Sequence, residues 1–106
     1  MNRGDVFELR LGREARGHEQ RGKRYGVVLQ ADSLMPLSTV VVAPTSRSAP
    51  AADFHPAVTI RRQPTLVLCE QLRAVDSGRL GKRVGRLGPD EIEGVEAALR
   101  LLLGLR

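Results

Sequence analysis

Three short stretches of this chain carry side chains able to hold an anion or move a proton. Within GHEQRGKRYGVVLQ, residues 17–30, His18, Glu19 and the cations Arg21, Lys23 and Arg24 crowd a glycine-flanked loop that runs into an apolar strand. A rigid strand feeding a charged loop is the arrangement expected where a scaffold presents reactive or anion-binding groups. In the second stretch, a β-branched run ends in the hydroxyls of Thr45 and Ser46, followed by Arg47. The third places Glu70, Gln71 and Arg73 just after Cys69. Arginine can grip a phosphate at two points, a histidine titrates near neutrality, and a carboxylate can accept a proton. Taken singly, each group also has a plain reading: Glu19 with Arg24 as a surface ion pair, Thr45 as a strand-end residue, Gln71 as a solvated side chain, His18 as a solvent-facing loop histidine. Chemistry requires that a fold bring them together.

The chain of 106 residues fits one domain, residues 1–106, with one modest core. Aromatic residues make up only 3%, so that core is expected from Val, Leu, Ile and Ala, with Phe7, Tyr25 and Phe54 as the rings. The formal charge is +5, from 17 Lys+Arg against 12 Asp+Glu, and Lys23 and Lys82 are the lysines, so arginine dominates. This bias fits a polyanionic partner and equally a basic surface kept for solubility. A lone cysteine, Cys69, excludes an internal disulfide and a multi-cysteine zinc site. No signal-peptide core and no apolar run of about 20 residues is present, so the expectation is a cytoplasmic protein that does not enter a membrane. In that setting Arg3-Gly4-Asp5 reads as a turn into the first strand.

The elements that must position these groups are short strands. Residues 6–11 alternate, with Phe7, Leu9 and Leu11 on one side and Val6, Glu8 and Arg10 on the other, predicting a half-buried strand. Residues 12–23 form a loop, and GVVLQ, 26–30, a second strand. Residues 31–38 are turn-like around Pro36. TVVVAPT, 39–45, reads as a buried strand whose pairing Pro44 should stop on one side. After a long loop at 46–56, strands are expected at 57–60 and 65–72 around a turn at 61–64. A helical turn near 77–80 then precedes a strand at 82–87. Gly88-Pro89-Asp90-Glu91 opens a helix, with proline at its first position and carboxylates facing the positive end of its dipole. Ile92, Val95, Leu99 and Leu102 form its apolar stripe, and Gly104 ends it. Leu101, Leu103 and Leu105 exceed what one stripe requires, and a second copy of the chain is the expected cover. The fold class is mainly β with a C-terminal α-helix, a small barrel or strongly curved sheet closed by that helix.

Several motifs are missing. GRLGK, 78–82, lacks phosphate-loop spacing, no GxGxxG follows a strand, and His18, His55 and Cys69 lack metal-ligand spacing, so no metal or cofactor is expected. In order and spacing, however, the three polar stretches resemble the MazF/PemK family of toxin endoribonucleases. RGDVF is similar to the family's opening turn and strand, and GHEQRGKRYGVVLQ to its G-S-E-Q-x-G-x-R-P loop and following strand. APTS, 43–46, is similar to a strand ending in P-x-T-S. VLCEQLRAVDSGRL, 67–80, is similar to V-x-C-D-Q-I-R-T-I-D-x-x-R-L, with VGRL after it. The resemblance runs from Arg3 to Leu105. It departs at Tyr25, which stands where the loop proline is usual, and at Pro44, displaced by one position.

The resemblance implies an SH3-like, CcdB/PemK-type fold and sequence-specific, metal-independent cleavage of single-stranded RNA. In that reaction the substrate's 2′-hydroxyl attacks phosphorus, leaving a cyclic phosphate and a 5′-hydroxyl. Arg24 would then stabilise charge on phosphorus, Thr45 would add a hydrogen bond, and Glu19 would accept the proton. His18 is an alternative proton carrier, while Arg24, with a guanidinium pKa above about 12, is a poor base. Gln71 and Arg73 match positions near the RNA path, with Ser46 and Arg47 nearby, and Tyr25 adds a stacking surface for a base. Arg47, Arg79, Lys82, Arg83 and Arg86 could track the backbone or form a solvated basic face. The partners implied are RNA, a cognate antitoxin whose tail enters the RNA groove, and a second copy in a homodimer. Two rivals are a CcdB-like toxin that poisons gyrase without catalysis and an inactive nucleic-acid-binding module.

Overall fold

The computed structural model describes residues 1–10 and 23–106. Among them are seven strands, β1 Asp5–Arg10, β2 Lys23–Val28, β3 Thr39–Ser46, β4 Ala57–Ile60, β5 Gln63–Val67, β6 Arg73–Asp76 and β7 Leu80–Arg86, and one helix, α1 Pro89–Leu103. The strands form one antiparallel sheet in the order β4-β5-β3-β2-β1-β7, with β6 also paired to β3.

β3 organises the sheet because it changes partner along its length. On one edge Val42, Ala43 and Pro44 pair with β2. On the other, Thr39 to Val42 pair with β6, and then Thr45 and Ser46 pair with β5. Pro44 lies at the changeover, where a residue with no N–H to give interrupts a ladder. Its carbonyl accepts from Leu68 N–H at 2.9 Å. Register irregularities on both sides of Phe7 in the β1–β7 pairing add to the curl.

Alternating residues then bury two clusters. Val6, Val27, Ala43, Val67 and Leu87 pack with Val95 and Ala98 of α1. On the opposite face Leu9, Val28, Val40, Val42 and Val75 form a second cluster, flanked by Phe7, Met35 and Leu80. β1 is therefore covered on both faces, and Val6, assigned by alternation to the polar side, is in the larger core. Leu11 lies outside the described residues.

Gly4 makes the entry turn with φ +92, a backbone conformation in which a side chain is strained, and a Cβ there would sit 2.8 Å from Ile92 Cδ1 and push that side chain aside. Asp5, just beyond it, is buried and accepts from Asn2 N–H at 2.8 Å, Arg83 Nη2 at 3.3 Å and Arg86 Nη1 at 3.1 Å. Burial alone would raise its pKa; the Asn2 N–H and the two guanidiniums outweigh it and hold the carboxyl below its ordinary value.

The helix opens and closes where its signals lie. Glu91 accepts from Gly88 N–H at 2.9 Å, and its second oxygen accepts from Thr59 N–H at 2.7 Å, fastening β4 to the helix start. Gly104 ends it at φ 68. Val95 and Ala98 are buried, with Ile92 and Leu99 packed beside the core. Leu102, expected in the apolar stripe, is exposed instead, as are Leu101, Leu103 and Leu105. The expected strand at 65–72 also differs: β5 stops at Val67, Cys69–Gln71 is a 3-10 turn, and the chain re-enters the sheet as β6.

Candidate active site

β2 and β3 run side by side with Gly26 opposite Pro44, which brings the residue pair before Gly26 toward the pair after Pro44. Arg24, Tyr25, Thr45 and Ser46 accordingly line one cleft of about 620 Å³. Arg47 and Ser48 extend that wall, Glu8 of β1 contributes a carboxylate, and the β4–β5 hairpin closes the far side with Ile60, Arg61, Gln63 and Thr65. The volume is within the ~300–1,000 Å³ typical of ligand sites.

The floor is fixed by hydrogen bonds. Thr45 is buried, and its hydroxyl donates to the Tyr25 carbonyl at 3.0 Å, tying β3 to β2. Donation to a ligand requires the hydroxyl to rotate away from that carbonyl; as it stands, Thr45 offers a lone pair. Ser46 Oγ accepts from Ser48 N–H at 3.1 Å and Ala49 N–H at 3.0 Å, which shapes the turn after β3 and leaves the hydroxyl proton for another acceptor. Thr65 donates to the Gln63 carbonyl at 3.0 Å within the hairpin.

Gln71 and Arg73 line a different cleft, of about 500 Å³, with Glu70, Leu72 and Ala74. The two clefts share no lining residue. What links them is the segment after β3: it begins at the first cleft with Arg47 and ends at His55, which reaches Glu70 beside the second. His55 is buried, with Nδ1 2.7 Å from the Pro50 carbonyl and Nε2 2.8 and 2.9 Å from the Glu70 oxygens. Both ring nitrogens face acceptors, so both donate only in the protonated ring. Burial would lower its pKa, but the Pro50 carbonyl and Glu70 carboxylate outweigh it and raise it above the ordinary value. Cys69, next to Glu70, is buried, and burial followed by the Glu70 charge pushes its thiol up to about 11, so the thiolate is scarce at neutral pH.

Of the residues singled out from sequence, Arg24, Tyr25, Thr45, Ser46 and Arg47 meet in the first cleft. Gln71 and Arg73 stand together in the second. Glu19 and His18 lie outside the described residues. Arg83 and Arg86 are engaged by Asp5, and Arg79 donates to the Arg10 carbonyl at 3.4 Å. Sequence reasoning missed Glu8, read only as a polar strand position, and Arg61, read only as part of a turn. Among the described residues no three His, Cys, Asp or Glu side chains gather as metal ligands do.

A curled antiparallel sheet closed by a C-terminal helix, with an arginine- and threonine-lined cleft where two central strands meet, defines a MazF-type toxin fold. The chain belongs to the PemK-like, MazF-like toxin family of type II toxin-antitoxin systems, whose model matches residues 2–103. A Mycobacterium tuberculosis protein with a toxin assignment is 41% identical over 104 residues, covering 97% of each chain. Among solved structures, MazF from Deinococcus radiodurans superposes with a TM-score of 0.84 at 22% identity, over 99% of this chain and 97% of that one. An endoribonuclease from a mycobacterial species, solved with its cognate antitoxin, superposes with a TM-score of 0.84 at 18% identity, over 100% and 97% of the two chains. No described helix is long and apolar enough to cross a membrane.

Proposed function

We propose that the protein is a sequence-specific endoribonuclease toxin that cleaves single-stranded RNA without a metal ion, by attack of the substrate's 2′-hydroxyl on the adjacent phosphorus. The observation that carries this reading is the meeting of Arg24 and Thr45, from neighbouring strands, in one cleft. Phosphorus acquires extra negative charge in this transition state, and a bidentate guanidinium is well suited to hold two of its oxygens. Thr45 turns its hydroxyl from the Tyr25 carbonyl to the same phosphate, with Ser46 and Arg47 beside it. Glu19 receives the 2′-proton, with His18 as the alternative; the P–O5′ bond breaks as the cyclic phosphate forms, the leaving 5′-oxygen takes up a proton from water to become the 5′-hydroxyl, and Tyr25 stacks against a base. Gln71 and Arg73 read an unpaired base in the neighbouring cleft, using the amide's donors and acceptors.

Such an enzyme in a toxin-antitoxin family requires restraint. A cognate antitoxin supplies it, as the mycobacterial endoribonuclease is held in complex with one, and in this protein the antitoxin's tail occupies the RNA groove. The exposed Leu101, Leu103 and Leu105 are covered by a second copy of the chain.

The test is incubation with single-stranded RNA in EDTA, followed by end-group analysis. Cyclic phosphate and 5′-hydroxyl ends are expected, and substrates with a single deoxyribose at the cut site should survive. Cleavage at that deoxyribose would refute 2′-hydroxyl attack.

A further inference from the structure

We propose that Arg61, at the tip of the β4–β5 hairpin, binds the RNA phosphate next to the one cut, giving the cleft a further arginine grip beyond Arg24 and Arg47. This rests on the ribonuclease reading above and adds to it a residue that neither the sequence motifs nor the fold assigns.

Ile60 pairs with Gln63, so β4 and β5 are joined by a turn of two residues, Arg61 and Arg62. Both have positive φ, 51 and 66. A two-residue turn with both centres in the left-handed region usually holds Asn-Gly or Gly-Gly, because a Cβ there crowds the backbone. Two consecutive arginines are a poor local choice, and backbone strain of this kind tends to persist at ligand clamps.

The two arginines differ in what they face. Arg61 lines the cleft with Arg24, Tyr25 and Thr45, whereas Arg62 is not among its lining residues. No described carboxylate pairs with Arg61, so its fork is not neutralised by this chain's described residues. The tip also stands on a firm base: Ile60 and Val58 are buried, and Glu91 holds the Thr59 N–H at 2.7 Å. A cation on a rigid hairpin, across the cleft from Arg24, suits a strand whose charges recur at every nucleotide.

The experiment measures binding of a single-stranded RNA carrying one deoxyribose at the cut site, over a salt series, with unfolding curves for each variant. Arg61→Asn, which tolerates the left-handed turn, should weaken binding roughly tenfold and flatten the salt slope by about 0.7, the value for one phosphate contact on a single strand. Arg61→Lys should keep the slope and lose part of the affinity, because a point charge replaces a fork. Arg62→Gly relieves the same kind of strain and should leave RNA binding at the wild-type level. If Arg61→Asn destabilises the fold, Arg61→Gly provides the same comparison without left-handed strain. Equal affinity and slope for wild type, Arg61→Asn and Arg61→Gly, with wild-type cleavage intact, would overturn this inference alone. A wild-type protein that neither binds nor cuts RNA would overturn the ribonuclease reading itself.

Discussion

Two groups of arginines on this molecule have opposite surroundings. Arg83 and Arg86 of β7 converge on the buried carboxylate of Asp5, where they anchor the last strand to the first. Arg24, Arg47 and Arg61 line the cleft between β2, β3 and the β4–β5 hairpin, and no described carboxylate pairs with Arg47 or Arg61. Sequence alone makes Arg83 and Arg86 candidates for a polyanion alongside Arg24 and Arg47. A buried acid within reach commits the first group to the fold, whereas the second lines a cleft in which Arg47 and Arg61 meet no described carboxylate.

That contrast makes predictions that differ in kind as well as size. Arg24→Ala should slow RNA cleavage by ~10²–10³-fold, the range for losing one group that stabilises transition-state charge, while the unfolding midpoint stays near wild type. Activity within a fewfold of wild type would remove Arg24 from the chemistry. Asp5→Ala should do the reverse. Denaturant unfolding should show a loss of about 1–3 kcal/mol from a buried acceptor's broken hydrogen bonds, with cleavage per folded molecule unchanged. Because the folded pKa of Asp5 is lowered from 3.8, its contribution is present above that value and fades as pH falls through the lower folded one.

His55 offers an effect of opposite pH sign. Its folded pKa is raised from 6.5, so its contribution is complete below that value and is lost as pH rises through the folded one. His55→Gln should therefore cost about 1 kcal/mol in acid and progressively less in base, read from paired unfolding curves. A gap that widens with pH would contradict a charged His55–Glu70 contact. The smallest effect is expected from Arg86→Ala, which should change RNA affinity by no more than about twofold because its charge already serves Asp5. A loss matching that of Arg61→Asn would erase the distinction between the two groups.

The fold was legible where composition and local signals agreed. The run TVVVAPT, 39–45, announced β3, which extends one residue further to Ser46, and Gly88-Pro89 with Glu91 and the later Gly104 bounded α1. β6 was missed because Arg73–Asp76 buries only Val75 and follows a 3-10 turn, so no period-two pattern announces it. The expected turn at 61–64 is shorter: Gln63 and Pro64 belong to β5, and Pro64 is accommodated where β5 pairs with β4 alone. The site was legible in parts. Arg24 and Thr45 stood out through their motifs, but Arg61 enters the cleft only through hairpin pairing, and Glu8 only through the β1–β2 register that sets it opposite Tyr25. Separation of Gln71 and Arg73 into another cleft follows from the 3-10 turn that breaks the expected strand.

The central claim is that Arg24 and Thr45 act on a single phosphodiester. A double-mutant cycle with Arg24→Ala and Thr45→Val, measured as single-turnover cleavage of single-stranded RNA in EDTA, tests it most directly, with Thr45→Ser as the variant that keeps the hydroxyl. The prediction is strong coupling, the double variant losing much less than the product of the two single losses. Losses that multiply as independent factors, or a Thr45→Val enzyme as fast as wild type, would contradict it.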